Sequence, residues 1–505
     1  MNPTTSDVSD IVSDFNSNPP LSDYTFGTFT ITQGTDTPTL APITQGNYAG
    51  LSAVTNYYDI TVEAGTSNST AQVVMSVEDY LIPLFQFGVF YEDDLEIHPG
   101  PDMTFDGGKI HSNSNIYLGA NSTLSIDSKT TSAGDILYRK QTTGEMPGVV
   151  EFKDGEGVYQ AVEIDGVVLD SDNPDWAVEA LERWDGNLKS KDHGIFEVDL
   201  VPLPEGSDPI DVIKRGDTID PGSSSESADL HDARYYWKAG LRIVDEGSGV
   251  KVYKQDGTEI TDVTNGGAYD NPFIIESDSL YDAREGKWMD VITVDMEILG
   301  INTYLLDELY DPALDSPGVL YVSQDTSGGF DKGVRLKNGS TLPSHNGIDG
   351  LTVSSDNPIY IQGDYNSANL PAAVTADAVT ILSNAWDDAN SNGNLDASRI
   401  AAPTTVNAAI MTGNVPTDTG NSQYSGGLEN FPRFLEKWSG KTFTYNGSLV
   451  CLWQSEQATG DWQYGSPVYK APNRNWSYGL DINNIPPGTP FVRLIQKVGW
   501  YHDIN

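Results

Sequence analysis

Residues 103–138 read MTFDGGKIHSNSNIYLGANSTLSIDSKTTSAGDILY. Very short apolar pieces recur in it: Met103-Thr104-Phe105, Lys109-Ile110-His111, Ile116-Tyr117-Leu118, Leu124-Ser125-Ile126 and Asp135-Ile136-Leu137-Tyr138. Gly, Asn, Ser and Asp separate them. Strands this short do not make stable isolated hairpins. They can make the rungs of a β-solenoid, where each strand pairs with the one above it. The same texture returns after residue 318, in Val319–Val322, Val334–Leu336, Leu351–Val353, Ile359–Ile361, Val379–Leu382 and Asn407–Ile410. A meandering antiparallel sheet is the alternative.

Outward from these two blocks the texture changes. Residues 1–25 are a polar lead-in, with a helix expected over 8–15. The runs at 57–62 and 71–77 alternate β-branched and aromatic residues about a Gly65–Asn68 turn, which predicts an antiparallel hairpin. Between the blocks, Asp165-Gly166 and Asp256-Gly257 each sit between apolar runs and predict type I′ turns. Asn173-Pro174 followed by Trp176, Ala177, Ala180, Leu181 and Trp184 predicts a helix. Asp208-Pro209 predicts a second, ending near Arg215 with Gly216 as its left-handed terminus. In the tail, Phe431, Phe434, Leu435 and Trp438 repeat at helical spacing. The expected fold class is therefore mainly β: a β-helix-like solenoid core with an α+β insertion and a helix-containing C-terminal cap. The expected division is 1–80 lead-in and hairpin, 81–139 first solenoid part, 140–312 insertion, 313–425 second solenoid part, and 426–505 cap.

Charge narrows the partners. Asp and Glu exceed Lys and Arg by enough to give a net charge of −45 over 505 residues. A phosphate backbone is bound by cationic surface, so nucleic acid is excluded as an expected partner. An anionic membrane surface is disfavoured on the same ground. The single cysteine, Cys451, excludes an intramolecular disulfide and reads as a small buried hydrophobe. No run is long and apolar enough to span a membrane as a helix. The N-terminus lacks the basic and apolar regions of a signal peptide. The chain is thus either cytosolic or written without a removed targeting segment.

The sharpest local motif is Asp388-Ala389-Asn390-Ser391-Asn392-Gly393-Asn394-Leu395-Asp396. Oxygens at loop positions one, three and five converge, glycine at six allows the reversal, and position seven offers a carbonyl. Asp388, Asn390, Asn392, Asn394 and Asp396 are the expected ligands of one Ca²⁺. Arg399 stands where the bidentate carboxylate of a calcium loop belongs, and an Asn/Gly-rich surface turn is the competing reading. Residues Tyr91–His98 (YEDDLEIH) hold carboxylates beside a histidine, a pairing that acid–base catalysis uses. Neighbouring positions on a strand face opposite ways, so the cluster need not converge, and no catalytic residue is assigned. The six histidines show no metal-binding spacing, and nucleotide-binding or serine-hydrolase motifs are absent.

Several segments together resemble the PilX-type pilus-assembly proteins of bacteria, which carry a pilin-like N-terminal helix and a long β-rich ectodomain. They are Ile82–Asp94 with His111-Ser112-Asn113, Lys238–Ile243, Tyr281–Lys287, Pro358–Asn366, Ala376–Asn384, Gly427–Phe431 and Pro472–Trp476. The pilin-like helix is missing, so the resemblance implies an exported ectodomain, extracellular or at the cell surface. It implies pilus proteins or surface ligands as partners and a structural or adhesive role in a type IV pilus. It brings no catalytic residues. The alternative is a β-helix carbohydrate-active enzyme, a lyase or glycosidase, or a carbohydrate-binding module. Tail tryptophans, Trp453, Trp462, Trp476 and Trp500, serve the last reading if exposed and core packing if not.

Overall fold

The computed structural model describes residues 9, 12–14, 16–17, 25–35, 37–145, 148–204, 206–247, 249–326, 329, 331–418, 420, 423–479, 481–482 and 484–504. It is mainly β, and the chain divides into two compact units. Much of the helix expected over 8–15 lies outside the described residues; Ser9 and residues 12–14 within it are helical.

The first unit comprises residues 1–84, 198–202 and 490–505. Its six-stranded sheet is antiparallel throughout, in the order Thr25–Gln33, Ser52–Gly65, Thr70–Pro83, Phe491–Ile504, Asp199–Val201, with Leu40–Pro42 pairing on Ser52–Gly65. The expected hairpin is present and longer than its apolar runs. It closes at Gly65 opposite Thr70, where the Thr66 amide donates to the Ser69 carbonyl at 2.9 Å. Residues 490–505, grouped with the tail in the sequence reading, supply its third long strand.

The second unit comprises residues 85–197 and 203–489. Its largest sheet has eleven strands. In spatial order these are Leu188–Lys189, Thr130–Ser132, Lys109–Ser112, Phe87–Tyr91, Leu449–Gln454, Ala409–Asn414, Ala372–Ala376, Leu351–Ser354, Val319–Ser323, Leu241–Asp245 and Val250–Lys254. All pairs are parallel except the last. The registers stack one apolar position on the next: Leu241, Leu320, Val353, Val374, Ile410, Leu449, Val89 and Ile110, all fully buried. Parallel strands need cover on both faces, and the alternate row, Tyr321, Ser354, Thr375, Met411, Val450, Phe90 and His111, is buried too. Part of its cover comes from residues 209–238. The Tyr321 hydroxyl donates to the Ile213 carbonyl at 2.8 Å, and the Tyr236 ring meets Tyr321 edge-on at 5.1 Å.

Between visits to this sheet the chain passes through others. Lys287–Asp295, Lys332–Lys337, Ile359–Gln362, Val379–Leu382 and Arg433–Phe434 form a second parallel ladder, edged by the antiparallel Phe273–Asp282. Here Val294, Leu336, Ile361, Ile381 and Phe434 stack in register. Thr404–Asn407, Thr442–Asn446 and Asn473–Ser477 form a third. Leu95–Ile97, Ile116–Leu118 and Ile136–Leu137 pair in parallel, as do Met103–Phe105, Thr123–Ile126 and Val149–Lys153.

The α-helices of the second unit fall inside the segment expected to be mixed: Trp176–Trp184, Ala228–Ala233, Tyr235–Lys238, Met296–Ile301 and Thr303–Leu309. The first buries Trp176, Ala180 and Trp184 but leaves Leu181 exposed. Asp208 caps only a short 3₁₀ turn, Pro209–Val212. Gly216 is required for space and not for a left-handed turn: a Cβ there would lie 2.4 Å from the Trp237 ring.

Two expectations are corrected. The turn at Asp165-Gly166 has both residues at positive φ, as type I′ demands, but at Asp256-Gly257 only Gly257 does. The strand before it, Val250–Lys254, still folds back on 258–260, with the Lys254 amide on the Thr258 carbonyl and the Ile260 amide on the Val252 carbonyl, while its other edge pairs with Leu241–Asp245. The C-terminal cap helix over 431–438 is absent. Phe431, Phe434, Leu435 and Trp438 are all buried, but Arg433–Phe434 is a strand. The Lys437 amide donates to the Arg399 carbonyl and the Trp438 amide to the Lys470 carbonyl. Neighbouring strands took the hydrogen bonds that a helix would have kept to itself, and tertiary pairing overrode the periodicity.

Buried polar groups tie successive passes of the chain together. The Asp377 carboxylate, fully buried, accepts from the backbone amides of Glu456, Gln457 and Ala458. Asp377→Ala strands three backbone donors, that of Ala458 buried, and should cost roughly 2–4 kcal/mol in urea unfolding. Asp377→Asn, which keeps one acceptor oxygen, should lose less, and a loss under about 1 kcal/mol for the alanine variant would contradict this role.

Candidate functional site

The loop expected to bind calcium folds between Trp386 and Arg399. Leu395 is buried and anchors it, while Asn392, Asn394 and Asp396 are exposed. Asp388 Oδ2 accepts from Arg335 Nη1 at 2.6 Å, and its Oδ1 accepts from Trp386 Nε1 at 2.8 Å. Asn390 donates to Asp387 at 2.7 Å. The Asn394 carbonyl accepts from the Ser398 and Ala397 amides. Asp396 Oδ1 lies 2.7 Å from Lys470 Nζ and 3.0 Å from Lys437 Nζ, and these lysines hold its carboxyl below the usual range. Arg399 turns inward and donates to the carbonyls of Gly393, Leu435 and Val468. The five residues share one loop, but its two candidate carboxylates each face a cation. Calcium would have to displace Arg335, Lys437 and Lys470 to use them.

The Tyr91–His98 cluster is rearranged by its strand. Leu95 and Ile97 enter the core, which sends Asp94, Glu96 and His98 the other way. Asp94 is fully engaged: it accepts from the Ser114 hydroxyl, the Asn115 amide and side chain, and Gln141. Glu96 is buried. Its Oε1 accepts only a long bond from the Gln141 amide at 3.4 Å, and Oε2 has no hydrogen-bond partner. Burial pushes its carboxyl up to about 7, and the charge of Glu429 adds to the rise. His98 Nε2 lies 3.2 Å from Asn121 Oδ1, and burial lowers the pKa of its ring.

Two cavities flank residues 424–430. One of about 280 Å³ is lined by Tyr91, Asp94, Glu96, Gln141, Ser425, Gly427 and Trp453, among others. The other, about 480 Å³, is lined by His98, Asn121, Lys140, Tyr424, Gly426, Glu429, Asn430, Trp462, Tyr464, Tyr469 and Arg474, with Gly100, Pro101 and Ala471. The second is of ordinary ligand-site size. Glu429 is buried, accepts from the His98 amide at 3.3 Å, and its carboxyl is raised by burial. Arg474 Nε donates to the Glu429 carbonyl at 2.8 Å, and Nη2 to Asn430 Oδ1 at 3.0 Å. Sequence reasoning missed Glu429, Asn430 and Arg474, which reach His98 only through the stacking order. Trp462 was visible as a tail aromatic without a place.

No protein-family model and no curated protein matches the chain. Among solved structures it is similar to the crystal structure of the competence-associated pilin ComZ from Thermus thermophilus. The alignment covers 97% of this chain and 89% of that one at 10% identity, with a TM-score of 0.23. A score that low carries no argument about fold or function. Among the described residues no helix is long and apolar enough to cross a membrane.

Two measurements follow from the geometry. Unfolded, Glu96 ionises near 4.5; folded, near 7. Below the first value its contribution to stability is whole, and it is lost as pH rises through the second. The shift is worth about 3 kcal/mol. Glu96→Gln should therefore flatten the fall in Tm between about pH 5 and pH 8 and exceed wild type at the upper end; equal slopes would contradict the burial of that charge. For the loop, thermal unfolding in rising free calcium separates an ion-pair lattice from a metal site. With the ion pairs intact Tm stays unchanged, and a rise that Asp388→Ala abolishes establishes the metal.

Proposed function

We propose that this chain is a non-enzymatic, extracellular structural or adhesive protein associated with a type IV pilus, built on a β-helix-like core. The parallel ladders, visited in rotation and stacked in register, support the β-helix reading of the second unit. The observation that carries the structural role is what the PilX-like segments do: their residues join separate passes of the chain. In Tyr281–Lys287, Glu285 pairs with Arg433 at 2.8 Å and accepts from the Gly460 amide, and Arg284 donates to the Gly460 carbonyl. Asp282 accepts from the Tyr360 hydroxyl of Pro358–Asn366 at 2.8 Å. In Lys238–Ile243, Arg242 donates to the carbonyls of Lys254 and Gln255 and lies over the Tyr236 ring. In Ala376–Asn384, Asp377 holds residues 456–458 and Ser383 bonds Glu436.

A glycosidase needs two carboxylates on one substrate. Asp94 and Glu96 share the 280 Å³ cavity, but Asp94 is taken up by Ser114, Asn115 and Gln141, which favours the non-enzymatic reading. Affinity capture from pilus-bearing cells should recover pilins with this chain. Robust polysaccharide turnover with no pilus association would overturn the proposal.

A further inference from the structure

The 480 Å³ cavity of the second unit combines features that the stitching of the core does not use. Four aromatic rings line it, Tyr424, Trp462, Tyr464 and Tyr469, together with hydrogen-bonding groups of every kind: the amides of Asn121 and Asn430, the Glu429 carboxyl, the Arg474 guanidinium and the Lys140 ammonium. Tyr464, at the rim, is 60% exposed.

Trp462 is held in place before any ligand arrives. Its Nε1 donates to the Tyr469 hydroxyl at 3.0 Å, and that hydroxyl donates to Asn430 at 2.6 Å. The Tyr424 ring meets it edge-on at 5.2 Å. Gly426 lies against the indole so closely that a Cβ would fall 2.4 Å from Cδ1 and 2.7 Å from Cγ, and its φ of +96° also demands glycine. The indole cannot turn, so stacking on it costs little ordering entropy. Arg474 spends Nε and one Nη2 bond on Glu429 and Asn430, and a guanidinium has five donors.

A rigid aromatic plate ringed by interleaved donors and acceptors suits a polyol ring. The apolar C–H face of a sugar stacks, and each hydroxyl both gives and takes a hydrogen bond. A fatty chain would offer nothing to the Glu429 carboxyl or to the donors that Arg474 has left. A phosphate ester would meet the Glu429 carboxyl inside a chain of net charge −45. We propose that this cavity binds a pyranose unit of a glycan, with Trp462 and Tyr464 as stacking faces and Asn121, Glu429 and Arg474 bonding its hydroxyls. This gives the adhesive half of the reading above a ligand class and rests on that reading only for where the glycan is met; pilus capture and glycan binding are measured separately.

The test is an array of defined pyranose oligosaccharides probed with the full chain, with the best-bound one carried into calorimetry. At least one should bind, and Tyr464→Ala and Trp462→Ala should each weaken it by about tenfold. Trp288→Ala, at an exposed tryptophan outside the cavity, should leave it unchanged. Trp462 is partly structural, so Tyr464→Ala, at the rim, decides if the first variant fails to fold. Competition by the free monosaccharide, or only by the oligomer, tells a single-ring ligand from a polymer, and either supports the site. An array with no bound glycan, or binding that survives Tyr464→Ala at full strength, overturns it.

Discussion

A carboxylate taken out of water is stabilised where donors meet it, and in this protein that requirement joins strands distant in sequence. Asp377 meets it with three amides of 456–458, Glu436 with the amide and hydroxyl of Ser383, and Glu285 with Arg433 and the Gly460 amide. Each partner is distant in sequence. Strands of two to six residues offer few ladder bonds apiece, and stacked aliphatic rows are indifferent to which rung comes next. A buried acid is not indifferent: misplaced by one rung it would stand unpaired, at a cost of several kcal/mol. The aliphatic rows give the second unit its cohesion, and the acids give it register.

The same economy of charge governs the surface loop at 388–396. An acidic chain has few cations to place, yet Arg335, Lys437 and Lys470 converge there on Asp388 and Asp396, and Arg399 closes the loop from below. The arrangement explains why the loop departs from a calcium pattern at its last position. Arg399 supplies carbonyl-directed donors to Leu435 and Val468, a task no carboxylate could perform.

Local texture made the β class readable. Short apolar pieces at 103–138 and after 318 are strands, the Gly65–Asn68 turn closes a hairpin, and Trp176–Trp184 is a helix. These signals live within a few residues of one another, where propensity and turn chemistry act. The spacing of Phe431, Phe434, Leu435 and Trp438 misled because one extended pass that pairs with neighbouring strands, Phe434 on Ile381 and Trp438 on Lys470, buries residues at the same recurrence as a helical face. The cavity was half legible: His98 and Trp462 stood out, but nothing local ties Glu429 to His98 across 331 positions. Only the spatial order of strands makes them neighbours, and that order is not the order of the sequence.

The pairing of Leu449–Gln454 with Phe87–Tyr91 bears on how the molecule is made. Synthesis delivers the strands of 87–132 early, yet the strand that covers their open edge leaves the ribosome several hundred residues later. In the first unit, Thr70–Pro83 likewise waits for Phe491–Ile504. Neither sheet can be completed until those strands have been made, and contacts of such long separation form slowly. Throughout that interval the edge of Phe87–Tyr91 is a template for any strand 449–454, including one from another copy. Late closure thus exposes nascent chains to exchange of that strand between neighbours, and places a premium on keeping them apart until the closing strand is out.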